Sequence, residues 1–335
     1  MAKFSHIYTE FKALEYQYTH GVLAKYPQAK RIMIDDYRDL FNRKNQSWLA
    51  QKESQKLILA VQSDKFYYQG SDNCHAFGYD HLYYTSQILN CPFDCAYCYL
   101  RGLYNSAYLV CFVNQQDYFD AITDLIADKD KLLLCLSYDT DLIALENRLP
   151  SLSGWLSFAR ENRDLLLEIR TKSSGNAQLR NAPPVDNVVL AWTLSPEIII
   201  DKYERKTASL NRRLSAISSA INNQWKVRIC IDPVLYINDW QSHYQDLIQK
   251  IFSKLQPERI HDISIGTFRM NRDYFKRLKQ LSPELDLLHC LWEEHDEMIG
   301  YQSQLAEQMQ EHLVKLLAKN IDVSRIHCLS GCNKC

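Results

Sequence analysis

Long apolar runs are missing from this chain. The longest, such as Ile198-Ile199-Ile200 and Leu132-Leu133-Leu134, stop far short of the roughly 20 residues that a helical membrane span requires. No charged-then-apolar leader opens the sequence either, so we expect a soluble cytoplasmic protein with no membrane partner. An excess of one charge sign is also lacking. Lys and Arg number 39 against 40 Asp and Glu, for a net charge of −1. That balance excludes a globally basic DNA-binding protein and confines any nucleic-acid contact to a local patch. No disorder signature is present, and 46 % hydrophobic residues over 335 positions suffice for one large domain or two smaller ones. What is present is cysteine, eleven in all. Six of them fall into two triplets, and with no leader this clustering favours reduced thiols and metal over disulfides.

The first triplet lies in Cys91-Pro92-Phe93-Asp94-Cys95-Ala96-Tyr97-Cys98-Tyr99-Leu100, just after an apolar stretch that reads as a strand. A zinc site or a fully ligated iron-sulfur cluster would want a fourth ligand close by, and none follows. Three thiolates on a [4Fe-4S] cube leave one iron open to a substrate or cofactor. A structural zinc loop is the competing reading.

From residue 82 onward apolar strands alternate with helical segments. Strands are predicted over 82–89, 108–114, 132–138, 165–171, 188–194, 227–234 and 263–268, with helices over 116–128, 152–160, 210–222, 240–255 and 274–279. Such runs read as parallel strands buried on both faces. The expected fold is α/β: a partial (β/α)6-type barrel over 81–285, preceded by a small N-terminal α/β module (1–80). A C-terminal region (286–335) follows, with a long amphipathic helix over 296–319 and a cysteine tail. In such a barrel the chemistry gathers at the C-terminal strand ends, where the cysteine loop lies. Cys74, in a polar turn, reads as structural.

The CxxxCxxC spacing resembles the signature of the radical S-adenosylmethionine (SAM) superfamily. Further pieces resemble the spore photoproduct lyase family: Phe11-Lys12-Ala13-Leu14-Glu15-Tyr16, Cys98-Tyr99-Leu100, Arg170-Thr171-Lys172 and Trp192-Thr193-Leu194-Ser195. So do Lys202-Tyr203-Glu204, Thr207-Ala208-Ser209-Leu210, Arg213-Leu214 and Ile231-Asp232-Pro233-Val234. The resemblance implies a radical SAM barrel and repair of a crosslink between adjacent thymines in DNA. In that family a cluster-bound SAM yields a 5′-deoxyadenosyl radical that takes a hydrogen from the lesion. The crosslink then breaks, and a cysteine returns a hydrogen while tyrosines pass the radical back towards SAM. The cofactor carries the hard step and the protein supplies placement.

Carried over residue by residue, the resemblance makes Cys91, Cys95 and Cys98 the cluster ligands, with Tyr97 and Tyr99 the aromatic pair around the last of them. Packing alone is the plain alternative for the tyrosines. Thr140, Asp141 and Lys172 become SAM contacts, with Thr193 or Ser195 offering a hydroxyl nearby. One position departs from the family. The hydrogen-donor cysteine falls on Tyr138 here, and Cys135, three residues earlier, would point to the other face of an extended strand. Two escapes are a relay through Tyr138 and a thiol from the second triplet, Cys328, Cys332 and Cys335. That triplet reads as a second cluster with Cys290 or Cys74 as fourth ligand, a zinc or redox-active tail, or an unliganded terminus.

For nucleic acid, Arg269, Arg272, Lys276 and Arg277 interleave with aromatics beyond a strand, as a phosphate-and-stacking surface would; a solvated helix face is the alternative. Arg205, Lys206, Arg212, Arg213 and Lys279 are further candidates. The expected partners are SAM, DNA or another nucleic acid, and a reductant such as flavodoxin or ferredoxin. Three functions compete: a lyase reversing a thymine dimer lesion, a radical SAM enzyme with another substrate, and a non-catalytic iron-sulfur protein.

Overall fold

The computed structural model describes residues 4–71, 74–129, 131–175 and 177–329. The apolar runs Leu132–Cys135, Leu165–Thr171, Val188–Thr193, Lys226–Val234 and Asp262–Thr267 lie side by side in chain order, all parallel, with Leu82–Tyr84 ahead of the first. Val188–Thr193 is buried at every position, as a strand covered on both faces must be. The crossover helices turn their apolar stripes inward. Leu210, Leu214, Ile217 and Ile221 are buried along Leu210–Asn222, and Tyr244, Leu247, Ile248 and Ile251 along Trp240–Lys254. The expected partial barrel is what forms, and its strand ends open on one rim.

Three expected elements differ. Residues 82–89 are not one strand: Leu82–Tyr84 pairs in the barrel, while Ile88–Leu89 runs antiparallel to Leu109–Phe112. The polar residues between them force the crossing. Buried Thr85 donates to the Phe66 carbonyl (2.6 Å), Ser86 to Asp139 (2.5 Å), and Gln87 accepts from the Trp155 indole (2.7 Å). In consequence 108–114 is no barrel strand. It belongs to a five-stranded sheet with His6–Glu10, Lys30–Ile34 and Leu57–Ala60, so the N-terminal sheet draws in strands from beyond residue 80.

The helix expected over 296–319 starts later, as Ser303–Leu317. Asp296 and Glu297 take positive φ (46° and 65°) and make the tip of a hairpin between Trp292–His295 and Met298–Tyr301. Met298 and Tyr301 are therefore strand residues. Past the helix, Ile326–Cys328 adds a further parallel strand beside Asp262–Thr267, which makes the root of the cysteine tail part of the barrel sheet.

The barrel interior carries a charged ladder. Arg228, 1 % exposed, donates to Glu168 and to both oxygens of Asp262, and its guanidinium lies 3.2 Å over the Phe77 ring. Arg170 joins Glu168 to Asp232 (3.2 and 3.3 Å), and Arg269 reaches Asp232 at 3.0 Å. Removing one member of a buried ion network strands the others without partners. Arg228→Met is expected to cost about 3–5 kcal/mol of stability, to be read as a lower denaturant midpoint in chemical unfolding.

Candidate active site

The cysteine loop is fastened before it can bind anything. Asn90 turns the chain with φ of 68° while its amide donates to the carbonyls of Ser106 and Tyr108 (2.8 and 2.7 Å). The Cys91 carbonyl accepts from Lys52 Nζ and from Gln55 Nε2 (3.2 Å). Asp94–Cys95 pairs antiparallel with Glu204–Arg205, and buried Asp94 holds Arg101 at 2.7 Å. After Cys98 comes the short helix Leu100–Leu103. A Cβ on Gly102 there would stand 2.2 Å from the Tyr274 carbonyl oxygen, so this glycine lets the loop pack on Arg272–Leu281.

Cys91, Cys95 and Cys98 all wall one cavity of about 420 Å³ at the barrel mouth. Desolvation pushes the Cys91 thiol up to about 12 and raises Cys95 and Cys98 as well. Such thiols become ligands only where a metal replaces their protons. Among the described residues no three His, Cys, Asp or Glu converge on one ion, as a zinc site would require. A cubane distributes its thiolates over different irons, so it asks only that the three sulfurs face one cavity, as Cys91, Cys95 and Cys98 do. Three polar atoms beside it are buried without a protein partner: Ser137 Oγ, Thr140 Oγ1 and His75 Nε2. Their residues line the same cavity, and a polar ligand there would satisfy them.

The expected SAM contacts divide. Asp141 caps Leu142–Leu145 through the Ala144 amide (2.9 Å) and accepts from the Thr171 hydroxyl (2.8 Å) and the Lys172 amide (2.7 Å). A carboxylate has about four acceptor sites, so three donors leave little beyond one for a ligand. Burial raises its pKa against the pull of these hydrogen bonds. Lys172 Nζ stands 4.0 Å from Glu204 and 5.7 Å from the Tyr97 ring centre. Thr193 lines the cavity too. Ser195 does not: it is 1 % exposed and its hydroxyl donates to Glu204 at 3.0 Å. That corrects the expectation of a cofactor contact, because Ser195 braces the carboxylate behind Tyr97. Glu204, unremarked as a site residue in the sequence, is the hub. It takes the Tyr97 hydroxyl, Ser195 and Arg213. Burial opposes its charge, but Lys172 and Arg213 outweigh that and hold the carboxyl below its usual range.

The strand ends at Cys135, so the parity argument that separates Cys135 from Tyr138 does not apply. The turn after it brings both residues to the cavity wall. Tyr138 stacks on Tyr84 with centroids 4.0 Å apart and lies 5.9 Å from Tyr99, whose hydroxyl donates to the Tyr138 carbonyl (2.7 Å) and to Asp139 (2.9 Å). Cys74, read from the sequence as structural or as a ligand to a second cluster, is the residue whose place beside Tyr138 went unread. Its sulfur lies 3.7 Å from the Tyr138 hydroxyl, on the same wall. The available signal was its setting: a thiol flanked by Ser71, Asp72, Asn73 and His75 is not placed like a core hydrophobe.

The basic candidates scatter. Arg269 lines the cavity, Lys276 is exposed, and Arg272 reaches across to Glu294 at 2.8 Å. Arg277 is committed to the Asn105 side chain (2.8 Å) and the carbonyls of Leu103 and Tyr104. Arg213 is fully buried. Arg213 therefore presents no surface to phosphate, contrary to expectation, whereas Arg277 stays part-exposed. Of the second triplet, Cys328 lines a separate cavity of about 540 Å³ beside His327, which shares Cys74 and His75 with the first. Cys332 and Cys335 lie outside the described residues.

Residues 4–281 match the family model described as spore photoproduct lyase. Among curated proteins, the chain is similar to a spore photoproduct lyase of Clostridium acetobutylicum, 21 % identical over 203 residues, covering 60 % of each chain. One of Geobacillus sp. is 21 % identical over 177 residues, covering 52 % of each. The matches thus span roughly half to three-fifths of those relatives. Among solved structures, spore photoproduct lyase complexed with dinucleoside spore photoproduct superposes with a TM-score of 0.81 at 17 % identity, covering 97 % of this chain and 98 % of that one. A double mutant with bound AdoMet and dinucleoside spore photoproduct superposes with 0.80 at 18 %, with the same coverage.

Proposed function

Because the chain belongs to the spore photoproduct lyase family, we propose that it is a radical SAM lyase that reverses a thymine dimer lesion in DNA of the spore photoproduct type. The observation that carries this is one cavity walled by the three cysteines, Lys172, Asp141 and the Cys74–Tyr138 pair. Cys91, Cys95 and Cys98 would hold the cluster, and Lys172, Thr140, Thr193 and the free edge of Asp141 would hold SAM. When bound, the [4Fe-4S] cluster supplies an electron that cleaves SAM to a 5′-deoxyadenosyl radical. The Lys172 ammonium pairs with the SAM carboxylate. Phe93 and Tyr97 help to exclude water from the cysteines.

Cys74 takes the place of the donor thiol that the sequence lacks at position 138. Its S–H bond breaks as a C–H bond forms on the fragmented thymine, leaving a thiyl radical on Cys74. Tyr138, at 3.7 Å, restores the thiol by giving up its phenolic hydrogen, and Tyr99 continues the path back towards the cofactor. With a thiol in place, the divergence at 138 no longer favours a different substrate. The lesion enters flipped out of the duplex, past Arg269 and Tyr274 at the mouth, with Lys276 available to phosphate. The reductant is a small one-electron donor of flavodoxin or ferredoxin type, and the reaction is cytoplasmic.

The test is anaerobic incubation of the reconstituted protein with SAM, dithionite and DNA irradiated to carry the lesion. Recovery of thymine alongside 5′-deoxyadenosine is the expected result. SAM cleavage with lesions left intact would overturn the substrate, and no SAM cleavage would overturn the enzyme.

A further inference from the structure

Behind the cysteine loop, on the side away from the substrate cavity, sits the short helix Trp48–Glu53. It puts two polar groups where a globular core does not ordinarily tolerate them. Lys52 is 5 % exposed and its ammonium donates to the Cys91 carbonyl. No acidic side chain forms an ion pair with it among the described residues; burial and Lys206 oppose its charge, while Cys91, Asp94 and Cys98 favour it. Trp48 is 4 % exposed, its indole N–H has no partner, and it packs in one apolar cluster with Leu100, Ala107, Cys91 and Cys98. A buried ammonium and a buried unsatisfied N–H each carry a substantial cost. The helix is nonetheless held there deliberately: Lys206 donates to the Lys52 carbonyl (3.0 Å), and Arg205 pairs with Glu53 (2.7 Å). Both come from the turn that also clamps Cys95.

We propose that Lys52 and Trp48 are positioning residues for the electronics of the iron-sulfur cluster, raising its reduction potential by a buried positive charge and by an unpartnered N–H packed beside Cys91 and Cys98. This rests on the reading that the three cysteines hold a [4Fe-4S] cluster. Cluster potentials are set by net charge, hydrogen bonds to sulfur and solvent exposure, and this helix acts on all three. The reduced cluster carries one more negative charge than the oxidised one, so a neighbouring cation in a low-dielectric wall stabilises reduction. The consequence is a cluster that a weak physiological donor can fill.

The experiment is potentiometric titration of the full-length reconstituted protein, followed by electron paramagnetic resonance of the reduced cluster, with iron and sulfide counted first. Lys52→Met is expected to lower the equilibrium constant for cluster reduction at least about tenfold, equal to 59 mV for a one-electron couple. Lys52→Arg should keep the wild-type potential. Trp48→Phe, which removes the N–H together with part of the buried ring, should shift the potential in the same direction by less and alter the resonance line shape. Gln55 donates to the same Cys91 carbonyl (3.2 Å) but carries no charge. Gln55→Leu therefore reports loop anchoring alone and should leave the potential unchanged. Should Lys52→Met fail to fold, Lys52→Gln and Trp48→Phe give the same reading. Coincident potentials for wild type and Lys52 variants on intact clusters would overturn the proposal, as would an equal shift in Gln55→Leu. Absence of a cluster in the wild type would instead overturn the ligand assignment.

Discussion

Alanine at Cys95 is expected to remove the cluster and 5′-deoxyadenosine formation together, whereas alanine at Cys135 leaves both in place. Cys95 is the most enclosed of the three ligands at 9 % exposure. It is also the one fixed by strand pairing, with Glu204 as its partner in register. Lys172 and Glu204 are the charged groups nearest its sulfur, and neither an ammonium nor an ion-paired carboxylate is a ready substitute for a thiolate. Two thiolates hold a cubane too loosely to keep it. Cys135 lines the same cavity but lies outside the cysteine loop, on a barrel strand in register with Glu168 of the charged ladder. Iron and sulfide content, the visible absorption of the cluster and chromatography of the nucleoside product decide the matter. A Cys95→Ala protein that kept iron, sulfide and SAM cleavage would show that another group completes the site.

What could be read from residues alone follows the range of the interaction. The cysteine loop was legible because its ligands are neighbours in sequence. The barrel was legible because Leu165–Thr171, Val188–Thr193 and Lys226–Val234 carry near-continuous apolar runs that only doubly covered strands need. Lys172 was legible as a strand-end cation. The misreadings arise where the deciding partner or turn is not announced by the residue's own apolar or charge pattern. Arg213 looks like a phosphate ligand until it is seen fully buried against Glu204 and the Thr193 carbonyl. Ser195 looks like a cavity hydroxyl until Glu204 is seen to accept from it. Met298 and Tyr301 fit a helical stripe equally well as a hairpin strand, and Asp296 and Glu297 at positive φ decide for the hairpin, a conformation rare for such residues. Cys74 and Tyr138 are 64 positions apart, and nothing local announces that they touch.

The same long-range contacts tie the site's two halves together. Glu204 joins Tyr97, from the cysteine loop, to Ser195 and Arg213 from the far barrel wall. Arg213 in turn donates to the Thr193 carbonyl at 3.0 Å. A ligand seated on Lys172 and Thr193 is thus referenced to the cysteines through one buried carboxylate. Asp139 plays the matching part on the donor side, holding the Tyr99 hydroxyl at 2.9 Å and Ser86 at 2.5 Å. Placement of the reacting atoms is what such a scaffold contributes when the cofactor carries the bond-breaking step.

Cys74→Ser is expected to keep the cluster and SAM cleavage while slowing thymine recovery at least about tenfold, a rise of ~1.4 kcal/mol in the barrier to quenching the product radical. Serine preserves size and polarity, but its O–H bond is too strong to yield a hydrogen atom to carbon, so the substitution isolates the chemistry from the packing. In deuterium oxide the wild-type thiol exchanges with solvent and delivers deuterium to the recovered thymine, and Cys74→Ser loses that label. Tyr138→Phe separates the second step. With Cys74 intact the first quench proceeds at its usual yield, but the thiyl is no longer restored across the 3.7 Å contact, so more 5′-deoxyadenosine accumulates for each thymine recovered. Cys135→Ala should match the wild type in all three measurements. If Cys74→Ser repaired the lesion at the wild-type rate with full deuterium transfer while Cys135→Ala did not, the donor would be Cys135, and the stacked tyrosines Tyr84 and Tyr138 would be a lining for the lesion instead of a path for the radical.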